Sequence, residues 1–175
     1  MDKKFTKILM TIAICGFMIW FGGSFLRSAI AYDLFIPSEN FQLKETYSDE
    51  LRMHSVYMFS TLAAYTNISY GIAWGAVVLL ILNVRKELKQ KGWLFMSILL
   101  FMIASPIEIM KIYYDAKLSW AIYYENVRDF YNPVVSEYFI DRFKNISFNT
   151  MSSLSLLANF TIIFFMIWKP LDRSN

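Results

Sequence analysis

The sequence predicts an all-α integral membrane protein, a four-helix transmembrane bundle with amphipathic, helical outer segments. Three observations support this fold class. Of the 175 residues, 57% are hydrophobic and 18% are charged, whereas soluble chains average about 45–50% and about 25%. Long charge-free runs lack the period-two alternation of barrel strands. Lysine and arginine are concentrated in three short segments beside these runs.

Four apolar runs place the predicted spans at about residues 8–26, 55–84, 92–111 and 147–168. A spanning helix needs about 20 apolar residues, because it rises about 1.5 Å per residue through about 30 Å of lipid tails. The third run reaches that length only by including Glu108 and Lys111. Residues 1–175 are therefore expected to form a single transmembrane domain. Its outer segments are 27–54 and 112–146, and its inner loop is 85–91.

The positive side chains predict the orientation of these spans. Residues 1–7, 85–91 and 169–175 together carry nine of the 17 lysines and arginines. Because cytoplasmic loops are enriched in these residues, both termini are predicted to be cytoplasmic. The net charge of +3 then reflects threading through the bilayer, and no nucleic-acid partner is expected. The expected location is a plasma membrane or a bacterial inner membrane.

The N-terminus has a second interpretation. Three lysines, an apolar run and Ala29-Ile30-Ala31 are also typical of a cleaved signal peptide. However, the run of 19 residues exceeds the roughly 7–15 apolar residues of most signal peptides. We therefore favour an uncleaved first helix. Cleavage would leave three spans and an exterior N-terminus.

The first outer segment contains the predicted start of the second helix. Thr46 with Asp49 resembles a capping box, and Ser48 is a rival N-cap. Asp49 and Glu50 then lie in the first turn, where the helix dipole favours negative charge. The second helix is therefore expected to begin several residues before the lipid.

The second outer segment contains a predicted amphipathic helix. Asn132-Pro133 supplies an N-cap followed by proline at the first helical position. Five residues then recur at helical spacing and define one face: Val135, Tyr138, Phe139, Arg142 and Phe143. This pattern predicts a helix that lies on the outer membrane surface or caps the bundle.

Glu108 and Lys111 form the candidate intramembrane polar site. Their spacing of three residues places them on one helix face, close enough to pair. Charged groups inside membranes are usually functional, which favours a proton or ion relay or an anchor for a polar partner. The structural alternative is a lysine that extends to the outer interface beside its glutamate. The position near the end of the span favours this alternative.

Two stripes of small and polar residues are candidate helix-packing surfaces. Asn67, Gly71 and Gly75 repeat every four residues on the second helix. The fourth helix carries a similar stripe, composed of Ser152, Ser155 and Asn159. Small residues let helix backbones approach closely in membranes. We expect the stripes to face each other or a partner helix, and packing within the bundle is favoured over a dedicated homodimer seam.

The sequence offers little for metal or cofactor chemistry. Glu50 and His54 share a helix face, but two ligands without further histidine or thiolate make a weak metal site. The chain has one cysteine and one histidine, and no catalytic motif is recognised. No catalytic residue, metal or cofactor is therefore expected.

Three functions remain in order of preference. The first is a non-catalytic accessory subunit or assembly component of a larger membrane complex, with the bilayer, a membrane protein or a second copy as partner. The second is a transporter or proton-coupled component that uses Glu108 and Lys111. The third is a membrane enzyme acting on a lipid or quinone through Asp49, Glu50 and His54.

Overall fold

A computed structural model describes residues 3–36, 41–85, 88 and 91–170. Within these ranges the chain is helical and contains no strand, only an isolated antiparallel bridge between Phe35 and Leu43. The helices are α1 (Lys3–Asp33), α2 (Asp49–Val84), α3 (Gly92–Tyr123), α4 (Pro133–Val135), α5 (Asp141–Lys144) and α6 (Ile146–Trp168), with a π-helical turn at Ser136–Ile140 between α4 and α5. Most of the predicted inner loop 85–91, including Lys86 and Lys89, lies outside the described residues, as do residues 171–175.

Four of these helices, α1, α2, α3 and α6, are long and apolar enough to cross a membrane. Two of them extend beyond the C-terminal ends of the predicted spans. α1 continues through Arg27 to Asp33, and α3 continues through Asp115 to Tyr123. The first predicted span ends before Arg27, and the third includes Glu108 and ends at Lys111, because further charges are costly in lipid. The helices continue because those charges pair with each other.

The helix starts follow the predicted capping chemistry. Ser48 is the N-cap of α2 and its hydroxyl accepts a hydrogen bond from the Leu51 amide. The Ser48 alternative is therefore confirmed over Thr46. Asn132 caps α4 in the same way, through a hydrogen bond from the Val134 amide. Residues 133–144, here called the cap, form one helical segment that contains a π-helical turn.

Close helix packing joins α1 to α2, and the glycines at this contact lie on α1. A Cβ atom added at Gly16 would lie 2.8 Å from the Ser69 carbonyl oxygen. A Cβ atom added at Gly23 would overlap the side chain of Thr66. The two backbones therefore approach closely at Gly16, whereas at Gly23 the space is filled by the Thr66 side chain.

The largest buried apolar cluster lies at the end of the bundle that carries the cap. Phe59 of α2 packs edge to face against Phe139 and Phe143 of the cap, with ring centroids 5.1 and 5.7 Å apart. Val135 and Phe139 are completely buried. The cap was predicted either to lie on the membrane surface or to cap the bundle. It packs on the bundle through its apolar face and closes this end.

Candidate functional site

A buried ionic cluster joins three separate parts of the chain beneath the cap. Asp115 of α3 pairs with Arg27 of α1 at 2.6 Å and with Arg142 of α5 at 2.6 Å. Asp115 is 1% exposed. Each carboxylate oxygen takes one guanidinium, so a single acidic residue holds both arginines.

Aromatic and hydroxyl groups complete the surroundings of the two arginines. The Arg27 guanidinium lies 4.5 Å from the ring centroid of Phe59, and that of Arg142 lies 5.7 Å from the same ring. Arg27 also donates a hydrogen bond of 2.9 Å to the Thr66 hydroxyl. Planar guanidinium groups are suited to such combined stacking and hydrogen bonding. The cluster therefore connects α1, α2, α3 and the cap.

Glu108 lies two helical turns before Asp115 on α3, and it is 2% exposed. Its Oε1 atom accepts hydrogen bonds from Lys111 at 2.9 Å and from the Ser155 hydroxyl at 2.8 Å. The Lys111 ammonium lies 5.8 Å from the ring centroid of Trp20. The structure thus brings Glu108 and Lys111 together as the spacing indicates, and it adds Ser155 of α6 as a third member.

A cavity of about 90 Å³ lies beside the two groups of charges. Its lining includes three cationic side chains, together with hydroxyl, amide and aromatic groups, and within the described residues no carboxylate. The lining residues are Ser24, Arg27, Ser28, Tyr32, Phe59, Lys111, Arg142, Phe143, Phe148, Asn149 and Ser152. The cavity is therefore rich in positive charge and hydrogen-bond donors.

The two predicted packing stripes have different surroundings. On α2, a Cβ atom added at Gly71 or Gly75 would meet nothing within 4 Å. Asn67 is half-buried. These residues therefore leave space on the outside of the bundle, and a contact with a partner helix stays a prediction.

On α6, Ser155 and Asn159 are buried and Ser152 borders the cavity. Asn159 donates to the backbone carbonyl of Ser155, and α6 packs against α3. The α6 stripe thus contacts α3 through the Ser155–Glu108 hydrogen bond.

The weak metal candidate lies on the surface. Glu50 and His54 are both exposed. Over the described residues, no group of three or more histidine, cysteine, aspartate or glutamate side chains is arranged to hold a metal ion. Cys15 is exposed on the apolar surface of α1.

Further polar contacts stabilise the connections that follow α1 and α3. Arg52 of α2 donates to the Tyr131 hydroxyl at 2.7 Å and to the Lys44 carbonyl at 2.8 Å. Lys44 pairs with Asp33 at 2.8 Å, and this hydrogen bond raises the pKa of Lys44. These two connections are therefore bonded to the ends of α1 and α2.

Sequence reasoning missed the Arg27–Asp115–Arg142 cluster because it assigned all three residues to outer segments. Two signals pointed to it. Arg142 occupies the apolar face of the cap, between Phe139 and Phe143 in helical register. Asp115 lies seven residues after Glu108, on the same face of α3. A charge on an otherwise apolar helix face indicates a buried partner.

No protein-family model, curated protein or solved structure matches this chain.

Proposed function

We propose that the chain crosses a plasma or bacterial inner membrane four times, with both termini cytoplasmic, and acts as a non-catalytic accessory or assembly component of a larger membrane complex. The cationic segments favour this orientation. An uncleaved α1 is favoured because cleavage after Ala31 would remove Arg27, leaving Asp115 with one of its two cationic partners.

The observation that carries the accessory role is an aromatic face on the outer part of α3. Tyr113, Trp120 and Tyr124 are 53%, 55% and 73% exposed, and the rings of Trp120 and Tyr124 stack with centroids 4.4 Å apart. Their spacing places them on one side of the helix and its continuation. We define Trp120 and Tyr124 as the aromatic patch.

The aromatic patch lies too far out to serve as a membrane anchor in the proposed topology. If Tyr113 marks the lipid interface, Tyr124 lies about 16 Å above it, since a helix rises about 1.5 Å per residue. Large exposed aromatic groups in water mark protein interfaces, where tyrosine and tryptophan are enriched. The ionic cluster beneath the cap holds this end in one arrangement, which lowers the entropic cost of binding.

Purification of the tagged chain in a mild detergent tests this role. We expect the protein mass of the particle, without its bound detergent, to be clearly larger than the 20.6 kDa of one chain. The particle should contain a stoichiometric membrane protein or a second copy. The double variant Trp120→Ala/Tyr124→Ala should lose this partner, whereas Tyr65→Ala, an exposed aromatic on α2, should retain it. A monodisperse wild-type monomer, or a double variant of unchanged size, contradicts the proposal.

The buried carboxylate of Glu108 favours a second candidate, a proton-coupled or ion-transporting component. Its hydrogen bonds to Lys111 and Ser155 resemble the polar relays found within membranes. Glu108→Gln preserves the side-chain shape and removes the charge. Proton or ion flux into liposomes that is present with the wild type and lost with this variant supports transport. Equal flux with both proteins rules out a transport function that depends on Glu108.

A further inference from the structure

The charged side chains around the 90 Å³ cavity include more cations than carboxylates. Arg27, Arg142 and Lys111 supply three positive charges, whereas Asp115 and Glu108 supply two negative ones. Asp141 and Lys144, the other charged residues of α5, are exposed and opposite in sign. The four buried groups, Arg27, Arg142, Asp115 and Glu108, therefore balance, and the excess positive charge is that of Lys111, whose side chain is 20% exposed. A partly buried cation in excess over the nearby carboxylates favours an accompanying anion.

The donors around the cavity are also incompletely used. Both carboxylate oxygens of Asp115 are occupied by the two arginines. The Nε atoms of Arg27 and Arg142 are buried without a hydrogen-bond acceptor. Arginine forks bind phosphate oxygens with strong, charge-assisted hydrogen bonds. The unpaired donors of the two arginines are thus suited to bind an oxyanion.

The cavity has the capacity for such a ligand. Its volume is about 90 Å³, and a single water needs about 10–15 Å³ by the same kind of measure. A tetrahedral oxyanion with a few waters fits this space. The three cations line this cavity together with Ser24 and Ser152, which add hydroxyl groups.

We propose that this cavity binds a phosphate-type oxyanion through Arg27, Arg142 and Lys111. In the proposed topology the cavity lies at the outer ends of the four spans, at the depth of phospholipid phosphates. The phosphodiester of a lipid headgroup and free inorganic phosphate share the required chemistry. The site goes beyond the accessory role and does not depend on the aromatic patch.

Two binding measurements on the purified full chain in detergent distinguish the sources. The first is equilibrium dialysis with radiolabelled inorganic phosphate at constant ionic strength. The second is native mass spectrometry with phosphatidylglycerol, compared with diacylglycerol of the same acyl chains. We expect saturable binding of one of the two phosphate compounds, and no retention of diacylglycerol. Since neither measurement uses sidedness or a partner protein, failure here is separate from failure of the proposed function.

Variants then assign the binding to the cavity. Lys111→Gln removes a cation from the lining and Ser152→Leu fills the space, and each should weaken binding by about tenfold or more. Lys117→Gln, an exposed lysine of α3, is the matched control and should bind as the wild type does. Circular dichroism checks that each variant is folded. Absence of saturable phosphate or phosphatidylglycerol binding to the wild type overturns the proposal, as does equal binding by the wild type and both folded cavity variants.

Discussion

Arg27 on α1 and Asp115 on α3 form an ion pair of 2.6 Å beneath the cap, where both side chains are almost completely buried. Since Arg142 shares the same carboxylate, one acidic residue neutralises two cations. Buried ion pairs add little net stability relative to apolar packing, but removal of one member is costly. Asp115 is therefore the position whose loss leaves the most uncompensated charge.

Substitution of this shared carboxylate should strongly destabilise the protein. Asp115→Asn is expected to lower the free energy of unfolding by about 3–5 kcal/mol, because two buried guanidinium groups lose their counter-charge. Unfolding by sodium dodecyl sulfate in mixed micelles, followed by circular dichroism, measures this loss. The control Asp141→Asn changes an exposed carboxylate and should be nearly neutral. Equal stability of the two variants would show that the cluster does not form.

The two kinds of glycine on α1 and α2 should respond oppositely to alanine. Gly23→Ala places a methyl group against Thr66, and overpacking of this kind costs about 1–3 kcal/mol. Gly71→Ala adds a methyl group to open space, where better helix propensity contributes about 0.5–1 kcal/mol. The same unfolding assay compares them. A Gly71 variant less stable than the Gly23 variant contradicts the described helix contact.

The Ser155 hydroxyl should contribute to stability because its acceptor is a buried carboxylate. Ser155→Ala removes the 2.8 Å hydrogen bond to Glu108, and loss of such a partner costs about 1–3 kcal/mol. Ser153→Ala is the matched control, since this exposed hydroxyl donates only to a backbone carbonyl of its own helix. Indistinguishable unfolding curves for the two serine variants would mean that α6 does not contact Glu108.

The contrast between predicted and observed features follows from what local sequence encodes. Ser48 and Asn132 mark helix starts because their side chains satisfy nearby backbone amides, a local interaction visible in the sequence. The pairing of Glu108 with Lys111 is local for the same reason. By contrast, the pairing of Arg27 with Asp115 depends on how distant helices pack.

The glycines also show that local spacing does not reveal which helix faces pack together. Gly71 and Gly75 match a known packing motif, yet the close approach occurs at Gly16 and Gly23. Which face of a helix meets its neighbour depends on the packing of all four helices. A spacing rule for one helix does not contain that information.

The most direct test of the four-span arrangement is the sidedness of two single cysteines. In a Cys15→Ser background, Glu125→Cys places a thiol at an exposed position just after α3, and Leu88→Cys places one in the predicted inner loop. Both variants are treated in intact cells with a membrane-impermeant maleimide. We predict that only the cysteine at position 125 reacts in intact cells, and that position 88 reacts after permeabilisation. Labelling of position 88 in intact cells, or equal labelling of both positions before permeabilisation, would contradict it.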